Sequence, residues 1–398
     1  MTSLEKNGNG NESRHAAEST RGSRLSRGLR TGGETGIMRP VRGSELATND
    51  GIATVDDPVL VTGAAGFLGP SVVGNLLDKG FRRIRCLARP TSNLTRLEKE
   101  IALRNGAGQA EIVGGNLLSR EDCSRLVKDV PLIYHLAAGS GTKAFSDAFL
   151  NSAVTTRNLL DAALENACLR RFVNVSSFAV YTNRRKPHWR LLDETCPMEG
   201  HPESRAEAYG YGKVKQDELV IDYGKKHSLP YVIVRPGSIY GPGKDFIPGR
   251  VGIDSFGLYL HFGGGNPIPF THVENCADAI VLTGLKTGIE GEVFNVVDDD
   301  LPTSRRYLRL YKKNVRSFRS VYVPHAFSYL FCCLWEKYSE WSHGQLPPVF
   351  TRREWAATWK KTHYSNRKIK ERVGWKPSVP TSEGLRSYFE SCRNTPAR

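Results

Sequence analysis

The chain has 398 residues, 39% hydrophobic and 24% charged, the range of a soluble globular protein with a sizeable core. No run approaches the roughly 18 apolar residues of a transmembrane helix, so none is expected. The net charge of +15 suits a phosphate-bearing ligand or an anionic surface as well as plain solubility; with no zinc-finger spacing and no interleaved aromatic and basic residues, it does not point to nucleic acid.

Residues 1 to about 55 are rich in Gly, Ser, Asn, Arg and Glu and poor in large apolar side chains. Such a segment cannot bury enough surface to offset its ordering entropy and is expected to be a disordered tail. Its glutamates, Glu5 to Glu45, argue against a transit peptide, and it has no apolar core for a secretory signal. Folded sequence is expected from Pro58. The β-branched run Val59–Gly63 predicts a strand, GAAGFLG a turn, and SVVGNLLDKG an amphipathic helix that stops at Gly80. Ile84–Arg89 predicts a second strand, closing a β–turn–α–β unit of about 30 residues. Ala110–Asn116, Leu132–Ala138, Arg171–Ser177 and Tyr231–Pro236 predict further strands, with a helix over TRNLLDAALENA (156–167).

Repeated β/α units with continuously apolar strands imply an α/β fold: a Rossmann-type, doubly wound parallel sheet. The irregular stretches 182–208, 241–271 and 301–392 are richer in Gly, Pro and charge. They are assigned to a smaller substrate lobe built from insertions and the C-terminal region, beside a cofactor-binding core mainly over 56–240. Ala326–Trp335 is too short to span a bilayer and reads first as a buried helix. Because Arg305, Arg306, Arg309, Lys312, Lys313, Arg316 and Arg319 lead straight into it, the other reading is a peripheral contact with anionic lipid.

Gly63, Gly66 and Gly69 are spaced G-x-x-G-x-x-G, with Phe67 and Leu68 between the last two. The first glycine permits a tight turn, the second a close approach to a pyrophosphate, and the third close packing of helix on sheet. Phosphates would sit on the helix N-terminus, and the strand–loop–helix context is what makes the pattern informative. About 20 residues on, an NAD enzyme usually carries Asp or Glu for the ribose hydroxyls. Here stand Ala88 and Arg89, with Arg85 and Arg96 nearby, which favours NADP(H) over NAD, since a guanidinium pairs with a 2′-phosphate.

Tyr209 and Lys213 stand at i and i+4 and so share one helix face. A nearby ammonium favours phenolate, which can take a hydroxyl proton. Tyr211 with Lys215 is a competing register. Ser177, at a strand end, could hydrogen-bond the reacting oxygen, with Ser176 as the fallback.

At these residues the chain resembles the extended short-chain dehydrogenase/reductases, the NAD(P)-dependent epimerase/dehydratase family. The resemblance runs from about Pro58 to Phe389. Its motifs are TGAAGFLG (62–69), HLAA (135–138), VSSFAVY (175–181), YGYGK (209–213), RPGSIYGPG (235–243), HVENCADA (272–279), VFNVVDD (293–299) and VGWKPSV (373–379). It implies the Tyr209/Lys213 register, because an acidic residue, here Asp217, follows the lysine by four. It also implies Ser177 rather than Ser176, and a nicotinamide ribose held by Lys213. Asn116 and Leu117 would lie beside adenine, and Ala137 and Ala138 beside the ribose and phosphates. Members are often homodimers.

Two departures stand out. Asn116 replaces the usual Asp, and Ser238 stands where many nucleotide-sugar epimerases carry Asn, a form closer to the 3-beta-hydroxysteroid dehydrogenase branch. The leading functional reading is hydride transfer at a secondary alcohol or ketone, on a nucleotide-sugar as small-molecule substrate. The alternatives are a hydroxysteroid- or isoprenoid-type dehydrogenase at a membrane surface, and a non-catalytic dinucleotide-binding regulator, which the presence of Tyr209, Lys213 and Ser177 disfavours. Eight cysteines without a C-x-x-C pair predict no metal site and a reducing, cytoplasmic compartment.

Overall fold

A computed structural model describes residues 51–106, 108–139, 144–183, 191–205, 207–244, 246–342, 345 and 350–394. Of the tail expected over residues 1 to about 55, residues 1–50 lie outside these. Seven strands make the main sheet: β1 (Val59–Thr62), β2 (Ile84–Ala88), β3 (Ala110–Gly114), β4 (Leu132–His135), β5 (Arg171–Val175), β6 (Tyr231–Pro236) and β7 (Val293–Val296). Their order is β3-β2-β1-β4-β5-β6-β7, with every pairing parallel. The chain therefore reverses its direction of winding between β1 and β4, where such sheets open a crevice at their carboxyl ends.

Alternation along the strands divides the core in two. Val59 and Val61 of β1 join one apolar cluster while Leu60 between them joins the other. On the first face lie α1 (Gly69–Asp78), α2 (Thr95–Ala102) and, later in the chain, α6 (Val273–Leu285). The second is covered by α3 (Arg120–Val127), α4 (Thr155–Leu164) and α5 (Ala208–His227), with a π-helical turn at Phe149–Val154 leading into α4. Both faces of the central strands β1 and β4 are covered, so each is buried along its whole length and its apolar run stands out in the sequence. Ile52, inside the stretch expected to be tail, packs into the first cluster.

The irregular segments gather into a second layer. Gly252–Ser255, Leu258–His261 and Ser320–Tyr322 form a three-stranded sheet. Beyond it come α7 (Ser304–Asn314), α8 (His325–Trp341), α9 (Arg352–Thr358), α10 (Arg367–Val373), which packs back on β7 and α6 of the main core, and α11 (Thr381–Asn394). Thr303 and Thr351 cap α7 and α9 by accepting the amides of Arg306 and Glu354. The expectation of a buried helix at Ala326–Trp335 is overturned. Helix α8 buries Ser328, Cys332 and Ser339 and leaves Phe327, Leu330, Phe331 and Leu334 exposed. The apolar run marks a helix whose greasy side faces outward.

Candidate active site

The glycine loop joins β1 to α1 at the crevice. Gly63 adopts φ +68°, in the left-handed region, and a Cβ there would meet the Ala137 amide nitrogen at 2.9 Å. At Gly69 a Cβ would lie 2.3 Å from the Ala64 carbonyl oxygen, so only glycine lets α1 start this close to the turn. The N-cap residue, Leu68, offers no side-chain acceptor to α1. The first-turn amides are thus left for an anionic ligand, as a pyrophosphate requires.

Two cavities meet at this loop and share Gly63, Gly66, Leu136 and Ala138 in their walls. One, of about 440 Å³, is lined by Arg89, Asn116, Leu117 and Ala137 as well. Asn116 is exposed to it, with its amide N–H on Asp122 and its Oδ1 accepting from the Leu118 amide. Arg85 is turned away: it donates to the carbonyls of Leu126 and Lys128. Arg96 also lies elsewhere, 5.0 Å from the centre of the Phe67 ring. Of the three arginines near the end of β2, Arg89 alone lines the cavity.

The other cavity, of about 620 Å³, holds Phe67, Leu68, Gly69, Ser177, Tyr209 and Lys213 in its walls. The competing register points outward. Tyr211 packs edge-on to Phe145, and Lys215 pairs with Glu218. Ser177 caps the short 3-10 turn Phe178–Val180 after β5 and shares this cavity wall with the Tyr209 phenol. Burial pushes that phenol up to about 12, and the Ser177 hydroxyl pulls it back down. Ser176 is committed elsewhere, its hydroxyl donating to Asp217 at 2.9 Å.

Lys213 is buried and donates to the Val175 carbonyl at 2.6 Å and to Gln216 Oε1 at 2.7 Å. Gln216 in turn donates to Thr156 at 2.9 Å, whose hydroxyl meets His135 Nε2 at 2.8 Å; His135 Nδ1 meets Thr62 at 2.8 Å. This relay ties β1, β4, α4 and α5 to the lysine. Burial depresses the ammonium to about 8, against the pull of Asp217. Asp217 is fully buried beneath the site. Burial pushes its carboxyl up; it accepts from Asn174, Ser176 and Arg235 at 2.9, 2.9 and 3.0 Å, and Arg235 and Ser176 pull it back down.

Sequence reasoning did not reach the far wall. Arg205, Glu207, Lys244 and Glu354 line the larger cavity with Ser238. Arg205 sits 4.0 Å from Glu207 and 3.3 Å from Glu354. Burial first, then Glu354, push the Glu207 carboxyl up. Lys244 lies over the rings of Phe67 and Phe246 at 4.9 and 4.6 Å. The only local signal was Glu207 at the start of α5, where it accepts the Gly210 amide. Glu354 arrives from 147 residues downstream of it, beyond any spacing rule.

A trifunctional UDP-glucose 4,6-dehydratase/UDP-4-keto-6-deoxy-D-glucose 3,5-epimerase/UDP-4-keto-L-rhamnose-reductase of Arabidopsis thaliana is 27% identical over 60% of this chain, which spans 36% of that relative's length. A low-salt glycan biosynthesis protein of Haloferax volcanii is 31% identical over 60% of this chain and 76% of its own. A 3beta-hydroxysteroid-dehydrogenase/decarboxylase of Arabidopsis thaliana is 23% identical over 83% of this chain and 61% of its own. In fold, a Bacillus cereus UDP-glucuronic acid 4-epimerase solved with NAD aligns with a TM-score of 0.63 at 22% identity, over 84% of this chain and 98% of that one. The model of the NAD dependent epimerase/dehydratase family matches residues 59–296, more than half of the sequence, and the chain belongs to that family of enzymes.

Proposed function

We propose that the chain carries out NAD(P)-dependent hydride transfer at a secondary alcohol or ketone of a nucleotide-sugar, with Ser177, Tyr209 and Lys213 as the acting residues. The observation that carries this reading is that all three line one cavity, which meets the glycine loop. A turn whose Gly63 and Gly69 leave no room for a Cβ and a helix N-terminus without a side-chain cap fit a pyrophosphate. A bound nicotinamide supplies or accepts the hydride. The chain's own residues do the rest. Tyr209 holds or takes the hydroxyl proton, Ser177 donates to the reacting oxygen, and the Lys213 ammonium holds the ribose and favours phenolate.

The printed names of the relatives support a sugar linked to a nucleoside diphosphate, and Lys244 and Arg250 in the cavity wall suit its phosphates. Ser238 in the same wall, together with the hydroxysteroid-type relative, favours the second reading, a sterol- or isoprenoid-like alcohol. NADP(H) is the preferred cofactor on this account. The segment Arg89–Asn93, which lines the smaller cavity, offers a guanidinium and hydroxyls but no carboxylate.

Turnover of a panel of UDP-, dTDP- and GDP-sugars, followed by cofactor absorbance, tests the reading. Tyr209→Phe should lower kcat by about 10²–10⁴ while leaving cofactor affinity intact. Full activity in that variant would remove Tyr209 from the chemistry. A sterol turned over in preference to every nucleotide-sugar would favour the second reading. Arg89→Ala should weaken NADP(H) by about tenfold, the scale of one charge-assisted hydrogen bond, with little change for NAD(H); equal losses for both would place Arg89 outside cofactor selection.

A further inference from the structure

Helix α8 is built inside out. Ser328, Cys332 and Ser339 are the residues it buries, and Ser328 accepts a hydrogen bond from the Trp355 indole at 2.9 Å. Its large apolar residues Phe327, Leu330, Phe331, Leu334, Tyr338 and Trp341 are all exposed. They recur at i, i+3, i+4, i+7, i+11 and i+14. At about 100° per residue these positions fall within one arc of roughly 100°, a single uninterrupted stripe. Phe327 is 67% exposed, Leu334 59% and Trp341 74%, while Phe331 in mid-stripe keeps ring contacts with Trp335 and Phe350.

Exposed apolar residues are not confined to the helix. Val321, 49% exposed, is the register partner of Leu260, which packs in the same cluster as Cys332 of α8. In the same three-stranded sheet, Phe256 stands fully exposed at a hairpin turn. Its φ of +51° is in the left-handed region, where Gly or Asn is the ordinary choice. Aromatic and aliphatic groups placed this way gain nothing in the folded chain alone, and apolar patches of this kind mark an interaction surface.

Charge decides what covers it. The chain reaches α8 through α7 and the strand Ser320–Tyr322, and Arg305, Arg306, Arg309, Lys313, Arg316 and Arg319 are exposed along that path. Arg305 lies 5.3 Å from the centre of the Tyr322 ring, three residues before α8 begins. Among the described residues, only Arg306 of these six has a carboxylate within ion-pair distance, Asp300 at 3.8 Å. A second copy of this surface would set two basic rows near each other. The N-terminal segment is poor in large apolar residues and its arginines outnumber its glutamates, so it complements neither the stripe nor the basic row. An anionic bilayer offers both an apolar interior for the stripe and negative headgroups for the basic row. At the far end of α8, Tyr338 and Trp341 stack at 5.7 Å, the residue types that settle at a membrane interface. No helix among the described residues is long and apolar enough to cross a membrane, so α8 would lie in the interface rather than span it.

We infer that α8, with Val321 and the basic row of Arg305–Arg319, is a docking surface for anionic membranes. The surface is one helix removed from the substrate cavity, because α9, which packs on α8 through Trp355, carries Glu354 and Thr358 into the cavity wall. The inference stands apart from the choice of substrate.

Co-sedimentation of the full chain with phosphatidylcholine vesicles, with and without phosphatidylserine, tests it. Binding is expected only with phosphatidylserine, and it should weaken as salt is raised. Arg316→Gln with Arg319→Gln should weaken it about 25-fold, at roughly fivefold for each charge near the surface. Leu330→Ser with Leu334→Ser should weaken it at least about tenfold, with unchanged thermal stability and cofactor binding, since both side chains are exposed. Four results would overturn the inference: no binding to phosphatidylserine vesicles at low salt, equal binding to neutral vesicles, unchanged binding in the serine variant, or a concentration-dependent dimer that the serine variant abolishes while vesicle binding is absent.

Discussion

At the scale of single residues, the site depends on a carboxylate that never faces the cavity. Asp217 accepts from Asn174, Ser176 and Arg235, and it is the charge that holds the depressed Lys213 ammonium up. Asp217→Asn keeps the shape but leaves Arg235 buried beside a neutral amide. Breaking a buried pair in this way costs about 3–5 kcal/mol, read as a lower midpoint in urea. The same change removes the support for the Lys213 ammonium, which titrates at about 8 in the native chain. The ammonium exists below its pKa, so cofactor affinity should fall off at lower pH in the variant than in the native chain. An unmoved alkaline limb in a variant that still folds would detach Asp217 from Lys213. The spacing of Tyr209, Lys213 and Asp217 was legible because all three lie on one helix. Gln216, which orients the lysine toward the Thr156–His135–Thr62 relay, was not, since a glutamine in mid-helix carries no signature of its own.

At the scale of elements, legibility followed burial. The strands of the main sheet are short apolar runs closed by turns, and Tyr231–Pro236 falls where its run predicts. The three-stranded sheet of the second layer was not predictable. Its strands are short, half-exposed and drawn from segments separated by about 60 residues, so neither period nor pairing shows locally. Helix α8 misled for the opposite reason: composition reports that a segment is apolar, not which way its apolar side faces. The junction of β1 and α1 carries the sharpest test at this scale. Gly69→Ala would push a methyl against the Ala64 carbonyl, which is backbone and cannot rotate away. Overpacking of this kind costs about 1–3 kcal/mol. The helix start must shift, so cofactor affinity should fall by more than the stability loss implies, measured by titration well below the melting temperature. An alanine variant with native affinity would mean that the phosphates do not sit at this turn.

At the scale of the whole molecule, acid sensitivity follows from three buried histidines. Burial pushes His135 down to about 3 and both His261 and His272 to about 4. In the unfolded chain each titrates near 6.5. Between those values the unfolded state binds protons that the native state refuses, so stability rises with pH across the window and falls as pH drops from about 6.5 toward 4. Asp298, raised to about 6 by burial, works in the opposite sense, because its native form binds a proton earlier than the unfolded one. A bare acid profile therefore mixes the two, and a variant separates them. His135 joins β1 to α4 through Thr62 and Thr156, so His135→Asn should be less stable at neutral pH. It no longer carries the proton imbalance, however. Between pH 7 and pH 5 it should lose about 2 kcal/mol less than the native chain, at roughly 1.4 kcal/mol per unit below 6.5. Urea unfolding at the two pH values measures the difference directly. Parallel losses in the two proteins would mean that His135 is protonated in the folded state, and the relay that positions Lys213 would then have to run through an imidazolium donating to both threonines.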